Sequence, residues 1–510
     1  MESNLFLLES KRTISTYSSI MNMTSKESNP FEISSGSMRV FRNSTFLTVI
    51  CSLLLCTLFI VKSEIVGLLL ICGLIAVLGV MYSIFTSPKT GIYLLLVLGF
   101  IVTGASRYLS ARMGLLIDII LVVIYIALFF KGFAKKVQWS KAKSSLTILV
   151  TIWMAYILLQ LVNPEVISIK AWFYAMRGVG LYQVMSIPLL FLLFNKNKDL
   201  QVFLIIWGVM SLIGTFKGLI QYTLGLDAFE QAWLDKGSFK THVLFGKLRI
   251  FSFYSDAGQF GASQAHAGLV FGILALFRKC STKLKIFYFT VAFAGFFGMF
   301  ISGTRGAITV PAMGGLTLLI LRKNSKVLLL GVLFGLGVYV FFAHTSIGQG
   351  NAEIRRMRTA FDPNDASFQI RLANQRKLSG YLASRPFGGG LGATGNWGKR
   401  FAPHSFLANT ATDSWYVMIW ADTGVVGLVY YLFMLFFVLF TGVYNVMLRI
   451  KNADLKVQIT ALTCGMAGIM LASYGNGVFG QMPTGILMYA TMTFIFISPK
   501  IDDVLSRKLN

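Results

Sequence analysis

Residues 285–321 read KIFYFTVAFAGFFGMFISGTRGAITVPAMGGLTLLIL, and this stretch decides the fold class. Two apolar runs, each of membrane-crossing length, are separated by Ser302-Gly303-Thr304-Arg305 alone. A charge at that depth costs at least about 2.5–3.5 kcal/mol even on lenient insertion scales. Arg305 therefore either snorkels from a helix end to the interface or faces a polar cavity, another charge or an anionic ligand.

The rest of the chain repeats the pattern. Of 510 residues, 55% are hydrophobic and only 13% charged, against about 25% charged in ordinary soluble domains. β-Barrel strands would alternate over about ten residues; these runs do not. The chain reads as an all-α polytopic membrane protein of about 12–14 transmembrane helices: 45–61, 65–85, 91–106, 114–130, 145–162, 172–194, 200–225, 258–277, 284–302, 305–321, 327–343, 414–446, 456–474 and 480–498. The Ser- and Asn-rich stretch 1–42 has no apolar core of a signal peptide and reads as a disordered cytoplasmic tail. A helical domain over 43–499 follows, then a short cytoplasmic tail, 500–510.

Lys and Arg cluster in the loops after even-numbered spans: 131–143, 196–198, 278–285, 322–326 and 449–456. The positive-inside rule puts those loops and both termini in the cytoplasm. The two long connections, 226–257 and 344–413, then lie outside, with the segment Asn163–Arg177 and the break at Ser302–Arg305. The net charge of +26 is mostly this insertion bias, and no basic stripe forms a soluble nucleic-acid module. The outer loop 344–412 is an exception, with nine basic residues against three acids. Long loops cross regardless of charge, so this excess suits an anionic substrate, anionic headgroups or a solvated face. Of five cysteines, four fall within spans and Cys280 in a cytoplasmic loop, so no disulfide is expected.

Polar residues gather near the outer loops. Gln264 and His266 interrupt an apolar run and should face the protein interior, with helix–helix hydrogen bonding the simpler reading for both. Asp365–Ser384 reads as an amphipathic helix suited to a membrane surface. Gly388-Gly389-Gly390-Leu391-Gly392-Ala393-Thr394-Gly395 reads as a mobile turn-forming segment and lacks the Lys-Ser/Thr of a phosphate-binding loop. His404-Ser405 follows, then Asp413-Ser414-Trp415-Tyr416 and Asp422-Thr423-Gly424-Val425-Val426-Gly427. The four histidines are scattered and no metal-ligand spacing occurs.

Arg249 before a span, Ser302-Gly303-Thr304-Arg305-Gly306-Ala307, the Gly-rich outer loop, and an acidic-X-Gly-X-X-Gly motif nine residues after Asp413 together resemble the O-antigen ligase/polymerase family of bacterial membrane glycosyltransferases, over roughly 170–445. The resemblance implies transfer of a glycan from undecaprenyl pyrophosphate to an acceptor sugar, on lipid A core or a growing polysaccharide. It implies a bacterial inner-membrane protein with a periplasmic active site, and no metal or nucleotide cofactor. By motif, Arg249 and Arg305 would bind the pyrophosphate, with Arg177 a third candidate; guanidinium forks suit phosphate oxygens and stay charged. Where the family usually reads His-Asn, this chain has Asp413-Ser414. The base that takes the acceptor proton is then Asp413, favoured by register, or His404. Asp413 also reads as a helix N-cap. A transporter or flippase of lipid-linked oligosaccharides is the rival reading; it calls for charges near mid-bilayer and internal pseudo-symmetry.

Overall fold

The computed structural model describes residues 71–507, apart from 110–112, 135–136, 245, 324, 351, 360–361 and 363. The first expected span and the N-terminal tail lie outside the described residues. Contacts divide the chain into two units, Met1–Met81 and Tyr82–Asn510. Of the first, residues 71–81 are described and are helical. The second carries everything below.

Ten helices among the described residues are long and apolar enough to cross a membrane. They are α1 (Pro88–Tyr108), α2 (Leu115–Phe133), α3 (Ser145–Val162), α4 (Ile169–Leu193), α5 (Asn197–Thr223), α7 (Ala257–Phe277), α8 (Thr282–Ile301), α13 (Trp415–Arg449), α14 (Ala453–Gly475) and α15 (Thr484–Ser506). Between them lie α6 (Ala228–Trp233), α9 (Thr309–Arg322), α10 (Ser325–His344), α11 (Ala366–Leu382) and α12 (Gly395–Phe401). The only sheet among the described residues is a two-stranded hairpin that pairs Val243 with Leu248. This is the all-α polytopic architecture that the apolar runs dictate.

Helices α7, α14 and α15 form the interior, while the others leave broad apolar faces exposed, as lipid contact requires. In lipid, apolar side chains gain little by meeting each other, so close backbone approach through small residues matters more. A Cβ on Gly295 of α8 would sit 2.6 Å from the Gly268 amide nitrogen of α7, and one on Gly468 of α14 would sit 2.5 Å from the Val310 carbonyl of α9. Gln264 is fully buried as expected. It accepts hydrogen bonds from Ser211 (2.8 Å) and Thr215 (3.0 Å) of α5, and donates to the Tyr254 hydroxyl (3.2 Å). His266 is buried too, but the hydrogen bonding expected of it is not seen: neither ring nitrogen has a partner among the described residues, and the ring packs against Trp207 at 4.6 Å.

Helix α13 is bent at Gly424, whose φ of 73° is open to glycine but costly for other residues. The Gly-rich loop docks into this bend. Gly389 donates to the Ala421 carbonyl (2.9 Å), Val426 donates to that of Pro386 (3.3 Å), and residues 388–394 are all buried. The expectation of a mobile segment is thus corrected: alternate glycines with positive φ let the backbone wrap tightly against α13. A Cβ at Gly424 would overlap the Pro386 carbonyl oxygen. Gly424→Ala is accordingly expected to destabilise by at least about 1–2 kcal/mol from backbone strain alone. A thermal melt of the purified protein would show the shift, and an unchanged midpoint would refute this docking.

Candidate functional site

The polar groups collect where α1, α8 and α14 end and α7, α9, α13 and α15 begin. The loop before α7 is held in place first. Arg107, at the end of α1, lies between the Trp233 and Phe251 rings, 4.4 Å from each, and donates to the carbonyls of Ser252 (2.7 Å) and Tyr254. Gln221 accepts from the Ser252 amide (2.8 Å), and Asp256 caps α7 by accepting from the Gln259 amide (2.9 Å). A pinned loop presents Arg249 in one orientation.

Arg249 donates through one terminal nitrogen to the Thr241 carbonyl (3.3 Å) and through the other to Thr304 Oγ1 (3.2 Å). Its buried Nε has no acceptor among the described residues. Thr304 is itself buried and donates to the Ala257 carbonyl (2.8 Å), which ties the Ser302–Arg305 break to the start of α7. Arg305 follows directly and pairs with Asp365 (2.6 Å) and Thr359 Oγ1 (2.7 Å). Its charge is met by the Asp365 carboxylate. Six residues beyond Asp365, Arg371 reaches Asp413 at 3.4 Å.

Three guanidiniums are therefore close enough to sense each other. Burial holds the Arg249 pKa below its ordinary value; Asp256 opposes this, and the charges of Arg305 and Arg371 add to it. Arg305 in turn holds the Asp365 carboxyl below the usual carboxylate range. Asn476 stands beside them: its side-chain nitrogen is buried without an acceptor among the described residues. A Cβ on Gly306 would come within 2.5 Å of that nitrogen, so the glycine after Arg305 makes room for the amide. Unsatisfied donors and mutually repelling cations amount to a site that an anion would complete.

Asp413 lies at a junction. On one side, with Arg371, it borders a cavity of about 40 Å³; on the other it lines one of about 710 Å³ with Arg177, Arg400, Tyr174, Trp397 and Gln481. The helix cap expected of Asp413 belongs instead to Ser414, whose hydroxyl accepts from the Val417 amide (3.4 Å). That leaves the Asp413 carboxylate free of the backbone. Asp422 also lines the larger cavity, but its carboxylate is engaged by the amides of Gly392 (2.9 Å) and Thr394 (3.2 Å). Its role is to fasten the Gly-rich loop to α13.

The sequence candidates thus divide. Arg249 reaches Thr304, the neighbour of Arg305, and Asp413 pairs with Arg371, whose charge acts on Arg249. Arg177 lies on the far side of Asp413, at a π-helical turn of α4, bonded to Asp118 and to the Tyr182 hydroxyl (2.9 Å). His404 is exposed and lines neither cavity. Arg371 and Arg400 entered the sequence reading only as part of a loop's charge. Asn476 and Gln481 were passed over, although Gly475-Asn476-Gly477-Val478-Phe479-Gly480-Gln481 is a polar break after an odd-numbered span and so falls on the face of the long loops.

Fold and site define a polytopic helical membrane protein with a cationic cluster beside a carboxylate-lined cavity. Residues 289–432 match the family described as O-antigen ligase, so the resemblance read from the motifs holds over that stretch. The match takes in Arg305, the long loop, Asp413 and Asp422, and leaves Arg177 and Arg249 outside it. No curated protein matches the chain.

Proposed function

We propose that this protein is a membrane glycosyltransferase of the O-antigen ligase/polymerase type. It passes a glycan from undecaprenyl pyrophosphate to a sugar hydroxyl, on lipid A core or a growing polysaccharide, at the periplasmic face of a bacterial inner membrane. One observation carries this reading: Arg249 bonds to Thr304, the neighbour of Arg305, and the charge of Arg371, which pairs with Asp413, also acts on Arg249. The Lys- and Arg-rich loops on the opposite side support the periplasmic orientation.

In this reading Arg249 and Arg305 grip the diphosphate, helped by Arg371 and the Asn476 amide. Asp365 and Asp413 are the carboxylates that the diphosphate displaces from Arg305 and Arg371. The acceptor oxygen then attacks the anomeric carbon of the donor sugar. The bond from that carbon to the diphosphate oxygen breaks, and its electron pair leaves with the diphosphate. Asp413, released from Arg371, takes the hydroxyl proton, and attack opposite the leaving group inverts the anomeric centre. The guanidiniums neutralise the growing negative charge, the role a divalent cation has in other transferases, so no metal is required. Arg177 stands at the sugar end of this arrangement rather than at the diphosphate.

The test is transfer by purified protein from a synthetic undecaprenyl-diphosphate glycan to candidate acceptor saccharides. Product from this donor, in buffer containing a chelator, is the expected outcome. Transfer from a nucleotide sugar instead would overturn the donor assignment. Scrambling of the lipid-linked glycan across vesicles without product would make the protein a flippase.

A further inference from the structure

We propose that the 710 Å³ cavity beyond Asp413 is an acceptor subsite for a negatively charged sugar, with the Tyr174–Trp397 stack as its aromatic wall and Arg400 paired to the sugar's carboxylate or phosphate. This rests on the transferase reading, because it takes Asp413 as the group that meets the acceptor hydroxyl.

Size comes first. A cavity of 710 Å³ falls within the roughly 300–1,000 Å³ range of small-molecule sites, which combine aromatic walls with a few placed polar groups. The aromatic wall is unusually ordered. Tyr174 stacks on Trp397, with centroids 4.7 Å apart and planes 17° from parallel, and on Phe401 at 5.6 Å and 12°. Trp397 and Phe401 are four residues apart on α12, so one helix face sets both rings side by side. The apolar C–H face of a pyranose packs on such rings, and its hydroxyls at the edge find the side-chain amides of Asn396 and Gln481. Helix α12 is itself well seated, because Gly398 allows it to close directly on the Ala393 carbonyl.

Charge selects the ligand. Four ionisable side chains other than tyrosines border the cavity, and three are already answered. Arg177 pairs with Asp118, Asp413 with Arg371, and Asp422 with the amides of Gly392 and Thr394. Arg400 has no carboxylate within ion-pair distance among the described residues, and its guanidinium lies over the Phe401 ring, at 5.3 Å. The charged side chain that borders the cavity without a partner among the described residues is thus a cation, Arg400. A neutral sugar leaves it to water, whereas an acidic sugar pairs with it through a charge-assisted hydrogen bond.

The proposal is tested by binding, without donor and without turnover. Full-length protein in detergent is titrated with trigalacturonate, a phosphorylated mannotriose and neutral maltotriose. At least one acidic probe should bind about tenfold more tightly than maltotriose, a difference of about 1.4 kcal/mol. Which acidic probe wins distinguishes carboxylate from phosphate. Arg400→Gln, at an exposed position, should abolish the preference, and Trp397→Phe should weaken all three probes while leaving the preference intact. Equal affinity for the three probes, no binding, or a preference that survives Arg400→Gln would each overturn the acceptor subsite. Inorganic pyrophosphate is titrated alongside. Its binding should be lost in Arg249→Gln and kept in Arg400→Gln; if Arg249→Gln leaves it unchanged, the donor reading fails independently of the acceptor result.

Discussion

Replacing Arg249 or Arg305 by Gln is expected to lower the rate of glycan transfer about 10²–10³-fold, the usual cost of removing one preorganised group that stabilises developing charge. In the proposed reaction both guanidiniums face a leaving diphosphate whose charge grows as the anomeric bond stretches, and each offers donors that a neutral amide cannot match. The two variants should differ in stability. Arg249 has no carboxylate within ion-pair distance among the described residues, so its loss removes the attraction of Asp256 together with the repulsion of Arg305 and Arg371 and should leave the melting temperature near that of the parent protein. Arg305 is paired with Asp365, so its loss strands a carboxylate; Arg305→Gln combined with Asp365→Asn should recover the stability but not the activity. In cells, lipid-linked glycan should accumulate outside the membrane in either single variant. Accumulation on the cytoplasmic side would instead make these arginines part of a translocation path. Transfer within a few-fold of the parent rate in both variants would end the diphosphate assignment.

Asp413→Asn is expected to lower transfer about 10²–10⁴-fold, the range over which a positioned general base acts. Pyrophosphate binding should be unchanged or tighter in this variant, because a neutral amide no longer competes with the anion for Arg371. His404→Ala should keep nearly the parent rate, since the imidazole is exposed and lines neither cavity. The reverse pattern, an inactive His404→Ala and an active Asp413→Asn, would move the base nine residues upstream and require the loop after α12 to fold over the cavity. The assignment stands on geometry: with Ser414 capping α13, the Asp413 carboxylate is left facing space that a hydroxyl can fill.

Helix α11 links these two experiments. One helix carries both Asp365 at its cap and Arg371 further along, so the partners of Arg305 and Asp413 are set by a single rigid element. In the proposed reaction, a diphosphate that displaces Asp365 acts on the helix whose Arg371 also pairs with Asp413.

Sequence alone determined the membrane class, the positions of the ten described helices long and apolar enough to cross a membrane, and the set of polar segments between them. Transfer of a twenty-residue apolar run out of water is a sum of local terms, so it needs no knowledge of neighbours. The same holds for the oddity of Arg305, because an isolated charge between apolar runs is costly wherever the helices come to lie. The motif order singled out Arg249, Arg305, Asp413 and Asp422. Only the tertiary structure decided which of these meet. Thr304 joins two arginines 56 positions apart, Asn476 enters through the space beside Gly306, and Arg177 falls on the other side of Asp413. Glycine content signalled freedom, yet packing against a bent helix turned it into rigidity. Such outcomes depend on close approach between segments distant in the chain, where a hydrogen bond or a missing Cβ decides the geometry, and no local sum contains that information.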